Sequence, residues 1–211
     1  VTGPIASEGF LSSTKNYTFY ATDVALASRG YVEQEFFVEG KANVYNEPAV
    51  DYAATTLPTF SGDAAVVTEG LPYKTRMVVR RPTDAAKFNG TVIVEWFNVT
   101  DNFDGEYFWV QAKDHLLRDG YAYIGISAQS NGIAHPNLGL KRFSPVRYGS
   151  LDVTAGGTVA QDKLSGSESS ARRAGRIERP AGQERHRGGH VAVGLAHGAL
   201  CQLRAHPRPD L

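Results

Sequence analysis

The sequence is short of the features that usually announce a function. A single cysteine, Cys201, excludes an internal disulfide framework and leaves the redox compartment open. Charge is balanced, 22 Lys and Arg against 22 Asp and Glu, so no global field argues for nucleic acid or an anionic membrane. No run is long or apolar enough to span a bilayer. His and Cys nowhere cluster at metal-ligand spacing, and there is neither a phosphate-cradling Gly-rich loop nor a dinucleotide fingerprint. Beyond about Ser165 the shortage becomes compositional. Phe, Tyr, Trp, Lys and Asn all vanish, while eight of the 15 arginines fall in the last 47 residues, scattered among Gly, Ala, His, Ser and Pro. A segment so poor in large apolar side chains cannot offset its ordering entropy, so residues 165–211 are expected to be disordered. Their arginines make no single face for an anionic partner.

What is present suffices for one domain with a real core, or for part of a larger one. The start, Val1-Thr2-Gly3-Pro4, reads as processed or excised. Removal of a signal peptide would make the protein secreted or periplasmic; otherwise it is cytoplasmic. Residues 1–30 read as an irregular arm with a short helix around Thr22 to Ser28. Val32, Phe36, Val38, Ala42 and Val44 then alternate with Glu33, Glu35, Glu39, Lys41 and Asn43, a strand with one wet face and a bulge or hairpin at Gly40. Residues 46–72 form a long connection, and Lys74 to Arg81 a second strand stopped by Pro82.

The centre of the chain is Thr91 to Gln129. Thr91 to Phe97 is a nearly continuous apolar run, the pattern of a strand buried on both faces. A polar loop, Asn98 to Gly105, leads to a helical pattern over Tyr107 to Arg118, with Trp109, Ala112 and Leu116 on one face and Asp119-Gly120 as the stop. Tyr121 to Ser127 is the next buried strand. Such a βαβ unit binds ligands at the carboxyl ends of its strands, which points to Asn98–Gly105. A loop with Asn131-Gly132 and His135-Pro136 follows.

Each motif has a plainer rival. Gly125-Ile126-Ser127-Ala128-Gln129 imitates a nucleophile elbow, but Gln129 replaces the closing Gly and a Gly/Pro-broken loop rather than a helix is expected next; Ser127 reads as a decoy, a strand-end serine. His115 reads as a structural helix histidine, and His135 as a loop residue without a partner carboxylate. Asp101, Asp104 and Glu106 are explained by helix capping and the macrodipole. Three glycosylation sequons begin at Asn16, Asn89 and Asn98 and by themselves decide nothing.

Several stretches together resemble the α/β-hydrolase domain family. They are Gly30-Tyr31-Val32-Glu33-Gln34-Glu35-Phe36-Phe37-Val38 with Ala42-Asn43-Val44-Tyr45; Tyr73-Lys74-Thr75-Arg76 with Arg80-Arg81-Pro82; Gly90 to Val99; and Tyr123 to Gln129. Arg147-Tyr148-Gly149-Ser150-Leu151 and Asp162-Lys163-Leu164-Ser165 add to them, and the resemblance covers roughly residues 1–165. It implies the N-terminal part of an α/β-hydrolase fold, antiparallel lead strands plus a βαβ unit, with a disordered C-terminal tail. The oxyanion-hole loop would follow Phe97, with Asn98 and Val99 as the candidate amide donors. It implies a serine hydrolase acting on small-molecule carboxylic esters, without metal or organic cofactor. The family's nucleophile, acid and histidine come later in the chain than the resemblance reaches, so no catalytic residue is identified here.

The tail's composition is that of a GC-rich gene read out of frame. Shifted forward by one nucleotide, the codons of Arg187 to Leu195 permit Ala-Val-Gly-Met-Ser-Gln-Ser-Gly-Ser, a strand end running into Gly-x-Ser-x-Ser. Cys201 to Arg208 permit Ala-Asn-Tyr-Val-His-Thr-His-Ala. The expectation is a partial hydrolase domain over 1–164, an out-of-frame tail over 165–211, and no activity. The rival is a non-catalytic module binding a small molecule or a protein.

Overall fold

The computed structural model describes residues 1–9, 11–19, 22–45, 65–159, 190–194 and 200–204. Residues 46–64 of the expected long connection, and most of the tail, lie outside the described residues. Strands β1 (Tyr31–Tyr45) and β2 (Val66–Pro82) form an antiparallel ribbon, Glu33 opposite Arg80 and Gly40 opposite Tyr73. β2 then pairs antiparallel with β4 (Ala122–Ile126) over Met77 to Arg80 only. β3 (Thr91–Trp96) lies parallel to β4, and helix α1 (Tyr107–Arg118) makes the crossover between them. On the other side of β3 lies β5 (His190–Gly194), also parallel, and β6 (Leu200–Arg204) returns antiparallel to β5. The order is therefore β1-β2-β4-β3-β5-β6. The carboxyl ends of β3, β4 and β5 share one edge, and the crossover direction reverses between β3 and β5, the place where open α/β sheets bind ligands.

The apolar runs bury both faces of this sheet. On one face Val38, Met77, Val79, Val94, Ile124 and Ile126 cluster, with Ala128 and Phe88 against them. On the other, Val78, Ile93, Phe97 and Tyr123 pack against Trp109, Leu116 and Leu117 of α1. Each such side chain contributes about 1.5–3 kcal/mol on burial. Three short helices, α2 (Ser130–Ala134), α3 (Leu140–Phe143) and α4 (Pro145–Tyr148), join Phe19 and Phe37 in a third cluster through Ile133, Leu140 and Tyr148.

Helix α1 has the bounds its periodicity predicts, but not the expected caps. The first-turn amides of Phe108 and Trp109 donate to the carboxylate of Glu95, on β3, at 2.8 and 3.0 Å. Asp101 instead accepts from the Tyr107 hydroxyl, Asp104 is buried, and Glu106 occupies the cap position while its side chain pairs with Arg80. A cap borrowed from a neighbouring strand leaves no local pattern. At the far end Gly120, at φ +75°, closes the helix; a Cβ there would stand 2.2 Å from the Lys87 carbonyl oxygen.

Other expectations need correcting. The register shifts fall between Ala42 and Tyr45 rather than at Gly40. β2 starts at Val66, eight residues before Lys74, and tolerates Pro72 because it has gained β1 but not yet β4 as a neighbour. Gln129 is followed by the short helix α2 rather than a loop, since Ser130, Gly132 and Ile133 are buried there. Glu35 sits on the nominally wet face of β1 yet is buried under the N-terminal arm and α4. The expectation for the tail is not among these corrections: of residues 165–211 only β5 and β6 are described. Without β5, buried-type β3 would be an unpaired edge.

Candidate functional site

The loop from Asn98 to Gly105 stands at the carboxyl end of β3, between it and α1, and it is tied down at many points. Its ends exchange backbone hydrogen bonds, Asn98 N–H to the Gly105 carbonyl at 3.2 Å and Gly105 N–H to Asn98 at 2.8 Å. The Asn98 side chain accepts from the Thr100 amide at 2.8 Å, an Asx turn. The Val99 carbonyl accepts from the Asn102 amide (3.0 Å) and from Asn131 Nδ2 on α2 (3.2 Å). Gly132 lets α2 approach this closely, since a Cβ would lie 2.1 Å from Asp104 Oδ1 and 2.9 Å from a Val99 methyl. Of the two candidate oxyanion donors, the Asn98 amide is therefore engaged by Gly105. The Val99 amide makes no hydrogen bond among the described residues.

Ser127 follows directly on β4, deep beneath that loop, with no exposed surface. Its hydroxyl donates to Asp104 and accepts from Arg76 Nε at 2.9 Å. Its amide donates to the Arg76 carbonyl and its own carbonyl accepts from Thr75. The serine is thus engaged at every polar atom; its acceptor Asp104 is itself tied to Arg76, and among the described residues no histidine contacts it.

Around it lies a buried ionic network whose membership the sequence hid. Arg76 reaches Glu35 (3.1 Å), Asp104 (3.2 Å), Ser127 and the Phe19 carbonyl. Glu35 also holds Arg147 at 2.5 Å and accepts from the Tyr148 hydroxyl at 2.8 Å. Burial works against the charge of Arg76, but Tyr148, Asp104 and Glu35 outweigh it and keep the guanidinium protonated. Burial raises the Asp104 carboxyl above its ordinary range, with Arg76 and Ser127 opposing. Among the described residues no donor reaches Asp104 Oδ1. Burial likewise pushes the Tyr148 hydroxyl up to about 12, holding it as a neutral donor to Glu35. Arg80 makes a second node, clasping Glu33 (2.7 Å) and Glu106 (2.8 Å) and stacking over Trp109 and Tyr123. The one available signal was two arginines on one face inside an apolar strand, Arg76-Met77-Val78-Val79-Arg80.

The remaining candidates disperse. His115 is half exposed on α1 and 2.8 Å from Asp119. His135 accepts from the Asn137 and Leu138 amides, shaping a turn. Among the sequons, Asn16 is engaged by Arg147, Asn98 by its Asx turn, and Asn89 is exposed. A surface hollow of ≈ 430 Å³ lies against the β1/β2 ribbon, lined by Lys41, Tyr73, Lys74 and Asp152, and includes no residue of the 98–105 loop. Among the described residues no group of His, Cys, Asp and Glu is placed to hold a metal ion, and no helix is long and apolar enough to cross a membrane.

A strand, a polar loop with a free amide and a crossover helix, in a sheet of this order, define the class. The family model described as alpha/beta hydrolase domain matches residues 1–196, and the chain belongs to that family. The match runs 31 residues beyond Ser165, where the resemblance read from the sequence ends, and takes in β5. Neither the curated proteins nor the solved structures contain a significant match.

Proposed function

We propose that this chain carries the oxyanion side of a serine carboxylesterase site and lacks the nucleophile side. The observation that carries the proposal is the Val99 amide, unpaired in a loop otherwise fixed by the Asn98–Gly105 pair, the Asx turn and Asn131. A donor held in place before reaction stabilises a developing oxyanion without reorganisation, worth about 2.7–4 kcal/mol in kcat for one such group. Val99 is the donor in this reading, and Asn98, through its side-chain and backbone bonds, holds the loop. A small-molecule ester is the substrate class, and the chemistry needs neither metal nor organic cofactor.

The chain itself is inactive in this proposal. A nucleophile elbow opens from a strand into a helix. Here β5 and β6 run antiparallel with five residues, 195 to 199, between them, whereas a parallel return through a helix takes a dozen or more. An out-of-frame tail would supply the reason: shifted forward by one nucleotide, the codons of 187–195 permit a Gly-x-Ser-x-Ser turn where the present frame gives residues of β5 and after. The family match beyond Ser165 weighs against a break that early and favours one nearer β5. The test is hydrolysis of a short p-nitrophenyl ester by this chain and by a version whose frame is shifted forward by one nucleotide upstream of codon 187. Turnover only in the shifted version supports the reading. Turnover by the present chain that survives Ser127→Ala overturns it by revealing another nucleophile.

A second reading, a non-catalytic module, is favoured by the satisfied Glu35–Arg147–Tyr148 core of the buried network. A cooperative thermal transition of the chain supports it; a molten, dye-binding state supports an incomplete hydrolase.

A further inference from the structure

We propose that Asn89 is a site of spontaneous deamidation, and that its conversion unlatches the entry of β3 from the end of α1. The chain has two Asn-Gly pairs, Asn89-Gly90 and Asn131-Gly132, and their chemistry is intrinsically the same. A glycine nitrogen is the least shielded backbone nucleophile, because no Cβ stands beside it. The fold separates the two. Asn89 is exposed, and its Oδ1 accepts from the Thr91 amide at 2.8 Å, an Asx turn that spans Gly90 and polarises the amide carbonyl. Gly90 stands at φ +87°, and the space where its Cβ would project is open. Asn131 lies inside helix α2, its Nδ2 donating to the Val99 carbonyl and to Asn102 Oδ1, with Gly132 buried against Asp104. Both side-chain amides donate hydrogen bonds; what sets Asn131 apart is its place inside α2 with a buried Gly132, so reaction there requires α2 to open first.

The balance is simple. The Gly90 nitrogen gives up its proton and attacks Asn89 Cγ, the N–Cγ bond forms, the Cγ–Nδ2 bond breaks, and the amide group takes up the proton and leaves as ammonia. Water then opens the cyclic imide at either carbonyl, giving aspartate or isoaspartate. The consequence follows from what Nδ2 holds: it donates to the Asp119 carbonyl at 2.7 Å, beside the Asn89 N–H to Gly120 carbonyl bond at 2.9 Å. A carboxylate in its place has no hydrogen to donate and faces a carbonyl oxygen.

The experiment incubates the full chain at 37 °C in mildly alkaline buffer, with and without urea, and maps tryptic peptides by mass spectrometry. The peptide beginning at Phe88 is expected to gain acid at Asn89, while the peptide beginning at Asp119 keeps its amide at Asn131. Native-state rates should differ at least about tenfold, the factor carried by about 1.4 kcal/mol of opening free energy. Urea should bring the two rates together. Conversion of Asn131 as fast as Asn89 in native buffer, or of neither, overturns the site. Asn89→Asp tests the latch: a lowered melting temperature is expected, and an unchanged one overturns it.

Discussion

Replacing Arg76 by Met tests the buried network most severely. The guanidinium and its partners Glu35 and Asp104 have at most 2% of their side chains exposed, so screening offers no refuge. Met keeps the length and apolar stem while deleting every charge-assisted bond. Glu35 retains Arg147 at 2.5 Å and Tyr148 at 2.8 Å, but Asp104 is left with Ser127 alone and an Oδ1 that no donor among the described residues reaches. Breaking a buried pair this way costs about 3–5 kcal/mol, against a total stability of about 5–15 kcal/mol for a domain. At about 2–4 °C per kcal/mol for a chain of this size, the melting temperature should fall by about 6–20 °C. The loss should also depend on pH. Burial already raises the folded Asp104 pKa, with Arg76 opposing. Without Arg76 it rises further, so the protonated form is favoured in the fold and stability is lost as pH rises through that raised value. R76M should therefore lie closest to wild type just above the ordinary carboxylate range and fall away toward neutral pH, and adding Asp104→Asn should restore much of the loss. Circular-dichroism melts at one pH in each region decide it. A loss below about 1 kcal/mol, or one equal at both pH values, would refute the reasoning.

Further outcomes follow from single contacts. Glu95→Gln should cost about 1–3 kcal/mol in urea unfolding, since an amide cannot accept from the Phe108 and Trp109 amides and the Tyr123 hydroxyl together. Burial raises the Glu95 pKa, with Tyr123 and the two amides opposing, so its contribution is present below the ordinary carboxylate range and lost as pH rises through the raised value; Gln should remove that slope. Gly132→Ala should cost about 1–3 kcal/mol, because its Cβ would meet Asp104 Oδ1, and hydrogen exchange across 98–105 should quicken. Ser127→Ala should cost about 1–3 kcal/mol through its two buried bonds while leaving ester hydrolysis where it was.

The central unit was legible because its signals are local. The apolar run Thr91–Trp96, the helical spacing of Trp109 and Leu116, and the Gly120 stop each act within a few residues, and the structure reproduces them. What stayed hidden depends on neighbours far along the chain. Alternation separates the two faces of β1 but does not say that Arg147, 112 residues away, covers Glu35. Local rules gave α1 a cap from its own loop, whereas Glu95 supplies it from β3. Helix α2 is too short to show a period and survives on tertiary contact at Gly132. The loop after Phe97 could be chosen as a site from topology. Which of its amides is free could not, because Gly105 engages Asn98 across seven residues of chain.

The central claim is that half of a serine hydrolase site stands here without its nucleophile. Labelling with a fluorophosphonate probe, followed by mass-spectrometric localisation, tests it most directly. The present chain should take up no label, and the frame-shifted version should be labelled at the serine of its Gly-x-Ser-x-Ser turn. Label on Ser127, or on any serine of the present chain, would contradict the account.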